Sequence, residues 1–177
     1  ASYINFAVTN YSVIIIADKN AGEIAKIKGV TSGNVYGYVS VADYTNTNGW
    51  NTAKELEVDN WIAANESVNL FLDGLDIGLA GVNFSSRFKN LIDYTRITKG
   101  KKVILNTYTA YEEYATWGDG VMKESCVQRW NGISAGNVDN YTREDWNLEV
   151  TRARWFKSHG IPVYCQSFGN RTTNPIQ

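Results

Sequence analysis

Short apolar runs rich in β-branched residues alternate with helix-patterned segments along most of this chain, and that alternation leaves few folds open. Ser12–Ala17 (SVIIIA) reads as a buried strand, since a continuous apolar run fits a sheet covered on both faces. Ala21–Lys28 follows with Ile24 and Ile27 at helical spacing, and Asn34–Val41 (NVYGYVSV) is the next strand. Asn51–Ala64 is a helix with Leu56, Val58, Trp61 and Ile62 on its apolar side, and Val68–Leu72 is the third strand. Ser85–Thr98 carries Phe88, Leu91, Ile92 and Thr95 at i, i+3, i+4 and i+7, with Ser85 or Ser86 as its N-cap. Gly100 closes that helix and Lys102–Asn106 (KVILN) is the fourth strand. A helical turn at Glu112–Thr116 precedes a fifth strand, Gly120–Lys123. Thr142–His159 is a long helix whose stripe of Trp146, Val150, Ala153 and Phe156 is expected to be buried. Gly160 sits where a left-handed cap belongs, and Ile161–Gln166 is the sixth strand.

Regular strand–helix alternation implies right-handed crossovers and a parallel sheet. The strands end in polar or acidic residues: Asp18, Asp43, Asp73, Asn106, Glu124 and Gln166. The residues that precede the strands are plain turn formers. Polar chemistry therefore collects at the C-terminal rim, all round the sheet rather than at one switch point, which favours a TIM-like (β/α) barrel over a doubly wound sheet. Six units are two short of eight, so the expected fold is an incomplete parallel α/β barrel. Residues 1–177 are expected to form one such domain or a segment of one, completed by other segments or subunits.

Composition narrows the chemistry. A net charge of −1 shows no electrostatic footprint for nucleic acid. The Lys99–Lys102 cluster reads as a solvated turn before a strand. No apolar run reaches the ~20 residues of a membrane-spanning helix. Cys126 and Cys165 read as small buried hydrophobes, with a disulfide left open, and without neighbouring histidines they make no zinc site. The single histidine, His159, lies in a turn entering a strand, on the rim opposite the acids, which disfavours Ser-His-Asp, Cys-His and zinc hydrolysis. Neither a P-loop nor a GxGxxG segment occurs, so no nucleotide cofactor is expected, and no metal. Aromatic residues reach 13%, with 6 Trp and 11 Tyr, which suits a core and also suits stacking on pyranose rings.

Carboxylates remain. Asp73 ends the run Asn69-Leu70-Phe71-Leu72 and precedes Gly74; Glu124 ends Gly120-Val121-Met122-Lys123. An acid at the tip of a buried strand needs a partner or a job. Two of them from two strands suggest glycosidic chemistry, retaining at a carboxyl separation of ~5–5.5 Å and inverting at ~6.5–9.5 Å. Asp18, Asp43, Asp76, Tyr38, Asn106, Tyr108, Trp130 and Gln166 lie at or just beyond strand ends and are the candidates to bond or stack on a sugar. Asp119 precedes its strand and belongs to the opposite rim. Five N-x-[ST] sequons, at Asn10, Asn65, Asn83, Asn140 and Asn170, are glycan acceptors only in a secreted setting.

Five segments carry a resemblance by their order. VYGYVSV, NLFLDGLD, KKVILNTYT, GDGVMKES and GIPVYCQSFG resemble the barrel core of the endo-α-1,4-polygalactosaminidase and spherulin 4 group of glycoside hydrolases, over roughly residues 12–169. Where that group has proline-glycine after its Asn-ending strand, this chain has Thr107-Tyr108. The resemblance implies endo-acting, retaining hydrolysis of an α-linked amino-sugar polysaccharide, with Asp73 as nucleophile and Glu124 as acid/base. It also implies a secreted or surface location, a virion surface included. The competing reading is a non-catalytic glycan-binding or assembly domain that reuses the barrel. A flavodoxin-like sheet is a third, without a phosphate loop to support it.

Overall fold

The computed structural model describes residues 13–17, 35–41, 49–74, 84–106, 115–124, 128–130, 138–140 and 142–166. Six strands form one sheet: β1 (Ile14–Ile16), β2 (Val35–Ser40), β3 (Asn69–Asp73), β4 (Val103–Asn106), β5 (Gly120–Glu124) and β8 (Val163–Gln166). All neighbours are parallel and follow chain order, so each crossover returns beside the strand it left. The sheet curls into an incomplete TIM-like barrel.

Three helices are described: α1 (Trp50–Ala64), α2 (Phe84–Asp93) and α3 (Arg143–Ser158). A π-helical turn, Tyr94–Thr98, extends α2. Ser85 and Ser86 therefore lie inside the first turn of α2 rather than capping it. Thr142 caps α3 in a reciprocal box: its hydroxyl accepts from Asp145 N, and its own N–H donates to Asp145 Oδ2.

Alternation along the strands sorts two cores. On the helix-covered face, Val35, Val39, Leu70, Leu72, Val103 and Leu105 pack against Val58, Trp61, Phe88, Leu91 and Ile92. Each such side chain contributes about 1.5–3 kcal/mol by leaving water. The inner face holds Tyr36, Phe71, Ile104 and Met122, with Val13, Ile15, Tyr38 and Tyr164 beside them. The α2 stripe is buried as its spacing requires, Thr95 included, whose hydroxyl donates back to Leu91 O.

Polar clamps fix the N-terminal ends of the strands. The buried Asn69 amide oxygen accepts from Lys102 N. Arg96 forks onto Asp119, at 3.1 and 2.9 Å, and also reaches Trp117 O, while Asp119 accepts from Val103 N. Asp119 thus sits on the rim its position before a strand implied. Asp59 takes the Tyr94 hydroxyl and the Lys99 ammonium, and Lys99 lies 5.0 Å from the Tyr94 ring centre. The Lys99 bond, with smaller help from Tyr94, holds the Asp59 carboxyl below its usual range despite slight burial.

Three expectations need correction. In α3 only Phe156 is buried; Trp146 is 46% exposed, Ala153 is exposed and Val150 half-buried, because α3 meets the sheet through Phe156 rather than through that stripe. Leu56 of α1 is 60% exposed, because it lies on the side of the helix away from Val58 and Trp61. The fifth strand runs one residue further, through Glu124, and an antiparallel pair, β6 (Gln128–Trp130) and β7 (Val138–Asn140), follows it. The segments Ala21–Lys28 and Glu112–Tyr114, and Cys126, lie outside the described residues, as does the side chain of Cys165.

Candidate active site

Register brings three polar residues side by side at the C-terminal rim. Ser40 pairs with Asp73, and Asp73 pairs with Asn106. Val41 N continues the ladder by donating to Asp73 O at 2.7 Å. Neighbouring strands run about 4.8 Å apart, so side chains at one level on one face are within reach of each other. Asp73 continues the inward series of Phe71, and Asn106 that of Ile104.

Both carboxylate oxygens of Asp73 are held. The Tyr38 hydroxyl donates to Oδ2 at 2.5 Å, and the Asn106 amide donates to Oδ1 at 2.6 Å. A carboxylate has about four lone-pair sites, so two bonds orient the group and leave room for a ligand. Tyr38 is itself anchored. Its ring meets Phe71 at 6.0 Å, and its carbonyl accepts from Trp61 Nε1 at 3.0 Å. The fully buried Trp61 ring lies against Gly37 so closely that a Cβ there would come within 2.4 Å of it. Glycine is required by that contact, not by a turn. Trp61 was placed in the core by its helical spacing; its bond to the strand that carries Tyr38 has no signature in the sequence.

Glu124 ends β5, one strand beyond Asn106, and its backbone pairs with Gln166 of β8. In register, Asn106 stands opposite Met122, so Glu124 lies two residues further toward the C-terminal end than Asp73 and two strands away, about 10 Å across the sheet. The preceding residue, Lys123, is tied to Glu149 of α3 at 3.2 Å, and Arg152 shares that carboxylate at 3.0 Å. Trp130 lies in β6, opposite Val138 of β7. The side chains of Glu124, Trp130 and Gln166 lie outside the described residues, as do Asp18, Asp43, Asp76 and Tyr108 altogether. Of the sequence candidates, then, the structure gathers Asp73, Tyr38 and Asn106 into one bonded group. Among the described residues no cluster of three or more His, Cys, Asp or Glu side chains could hold a metal ion, and no helix is long and apolar enough to cross a membrane.

A parallel barrel sheet with an anchored strand-end carboxylate defines a fold class, the TIM-like (β/α) barrel, rather than a reaction. No protein-family model matches the chain, and no curated protein matches it in sequence. Among solved structures, it is similar to the glycoside hydrolase domain of PelA from Pseudomonas aeruginosa, at a TM-score of 0.67 and 14% identity over 88% of this chain and 76% of that one. A Glu-to-Ala variant of the same domain gives a TM-score of 0.67 at 13% identity over the same shares. At such identity the likeness establishes a common fold.

Proposed function

We propose that this chain is a glycoside hydrolase that cuts an α-linked amino-sugar polysaccharide outside the cell by a two-carboxylate retaining mechanism. The observation that carries the reading is the Asp73 carboxylate, fixed by two donors at the C-terminal end of a central barrel strand. Catalytic groups of such barrels come from this rim. The PelA domain, which shares the fold, is a glycoside hydrolase and supports the same choice.

Asp73 is the nucleophile. One of its oxygens attacks the anomeric carbon while Glu124 gives a proton to the departing glycosidic oxygen. Glu124 then takes a proton from water, whose oxygen displaces Asp73 and restores the starting configuration. Tyr38 and Asn106 hold the attacking carboxylate in one orientation throughout. Asp18, Asp43 and Asp76, which follow the ends of the first three strands in the chain, supply acceptors for hydroxyl and ammonium groups of the sugar. Tyr108, Trp130 and Gln166 are the remaining sugar contacts in this reading.

The test is hydrolysis of α-1,4-linked polygalactosamine, followed by reducing-end release and by NMR of the first-formed anomer. Asp73→Asn and Glu124→Gln are each expected to slow turnover about a thousandfold with melting temperature unchanged. Wild-type turnover in either variant, or an inverted product, refutes the mechanism. Saturable binding of the polymer by the wild-type chain without turnover would instead favour a glycan-binding domain built on the same barrel.

A further inference from the structure

The rim opposite Asp73 has a different character. It is built from helix-to-strand turns, with Gly100 after the π-helical turn and Gly160 after α3, both left-handed at φ 65 and 69. Two cavities, of about 390 and 380 Å³, open between these turns and share Asp119. His159 and Pro162 line one; Ile97, Lys101 and Lys102 line the other. Ile97 is 79% exposed. On the wall of a concavity and bordered by lysines, Ile97 offers one apolar contact beside two cations.

The charges at this rim do not cancel. Arg96 neutralises Asp119, and Lys99 pairs with Asp59. Among the described residues Lys101 reaches the backbone carbonyl of Glu66 and enters no ion pair. Lys102 and Lys157, both exposed, enter no ion pair among the described residues. Against these three cations stands the exposed Glu66 side chain. The chain as a whole carries −1, so the three cations here are a local excess among the described residues.

We propose that the N-terminal rim is a docking groove for an acidic peptide segment of a partner protein, whose carboxylates meet Lys101 and Lys102 and whose apolar side chain covers Ile97. A bare polyanion such as polyphosphate would satisfy the lysines and leave Ile97 in water, so the peptide is the better complement. Docking at this rim leaves the opposite one, with Asp73, free. The inference does not depend on the proposed hydrolysis.

The experiment is fluorescence anisotropy with a fluorescein-labelled Glu-Glu-Leu-Glu-Glu peptide, a Lys-Lys-Leu-Lys-Lys control, and polyphosphate as competitor. Saturable binding of the acidic peptide alone is expected, weakening as salt rises. Lys101→Glu with Lys102→Glu should weaken it about tenfold, and Ile97→Ser several-fold, with melting temperatures unchanged to show that the variants fold. Absence of saturable binding, or binding indifferent to the lysine reversal, overturns the proposal. So does displacement by polyphosphate combined with indifference to Ile97→Ser, which would mark a general anion surface. Because the readout is peptide binding, failure here says nothing against glycan hydrolysis, and the reverse holds.

Discussion

Asp73 shows how little freedom a strand-end carboxylate has once its neighbours are in place. Each oxygen accepts one short bond, from side chains on the strands to either side. Preorganised donors of this kind are commonly worth about 10²–10³ in turnover. Tyr38→Phe keeps the ring against Phe71 and removes one donor. On the proposed mechanism, kcat on the glycan should fall about 10- to 100-fold with KM nearly unchanged, if the bond serves to orient Asp73 rather than to hold substrate. A kcat equal to wild type in steady-state assays would remove Tyr38 from that role. The place of Asp73 at the end of a buried strand was legible in the sequence, because the apolar run Leu70-Phe71-Leu72 stops there. The function of Tyr38 and Asn106 as its donors was not. Both were read as sugar contacts, because which strand-end residues share a level is decided by pairing register, and register does not appear in a single strand's composition.

At the scale of elements, α1 and β2 are locked by the Trp61 ring on Gly37. Gly37→Ala places a methyl group where the fully buried indole already is. The expected cost is about 1–3 kcal/mol, a drop of several degrees in melting temperature by calorimetry. An unchanged melting temperature would mean the helix shifts freely over the strand. The main strands were readable as short apolar runs covered on both faces, and α2 from a stripe whose spacing matches its buried side. The β6–β7 pair was not, since Gln128-Arg-Trp and Val138-Asp-Asn are too short to show alternation. The π-helical turn was hidden because Thr95 falls on the buried stripe whether the helix continues as α or widens. Trp146 misled for the opposite reason: its spacing marks a face, and nothing in its spacing says whether a neighbour covers that face.

For the molecule as a whole, the inner face of the curled sheet is an apolar enclosure with a few polar groups at its ends. Tyr36 lies deep in it, 4% exposed. Burial above all, then the nearby Tyr164 and Asp119, pushes its hydroxyl up to about 12 from 10.0. The unfolded chain ionises this tyrosine near 10.0, whereas the folded one keeps it neutral, so the folded state loses ground as pH rises between those values. Urea midpoints should therefore fall by up to about 2–3 kcal/mol equivalent across that window, and Tyr36→Phe should flatten this alkaline slope. An identical slope in the variant would place the titration elsewhere.

The ladder Ser40–Asp73–Asn106 carries a genetic consequence. Strand faces alternate with a period of two, so losing or gaining one residue within β3 or β4 would turn Asp73 or Asn106 from the inner face to the helix side, together with every apolar partner on that strand. Exchanges of like for like at Leu70, Phe71 or Ile104 keep the count and so keep the carboxylate aimed. Lineages descended from this chain can vary the letters of these two strands widely, but not their number.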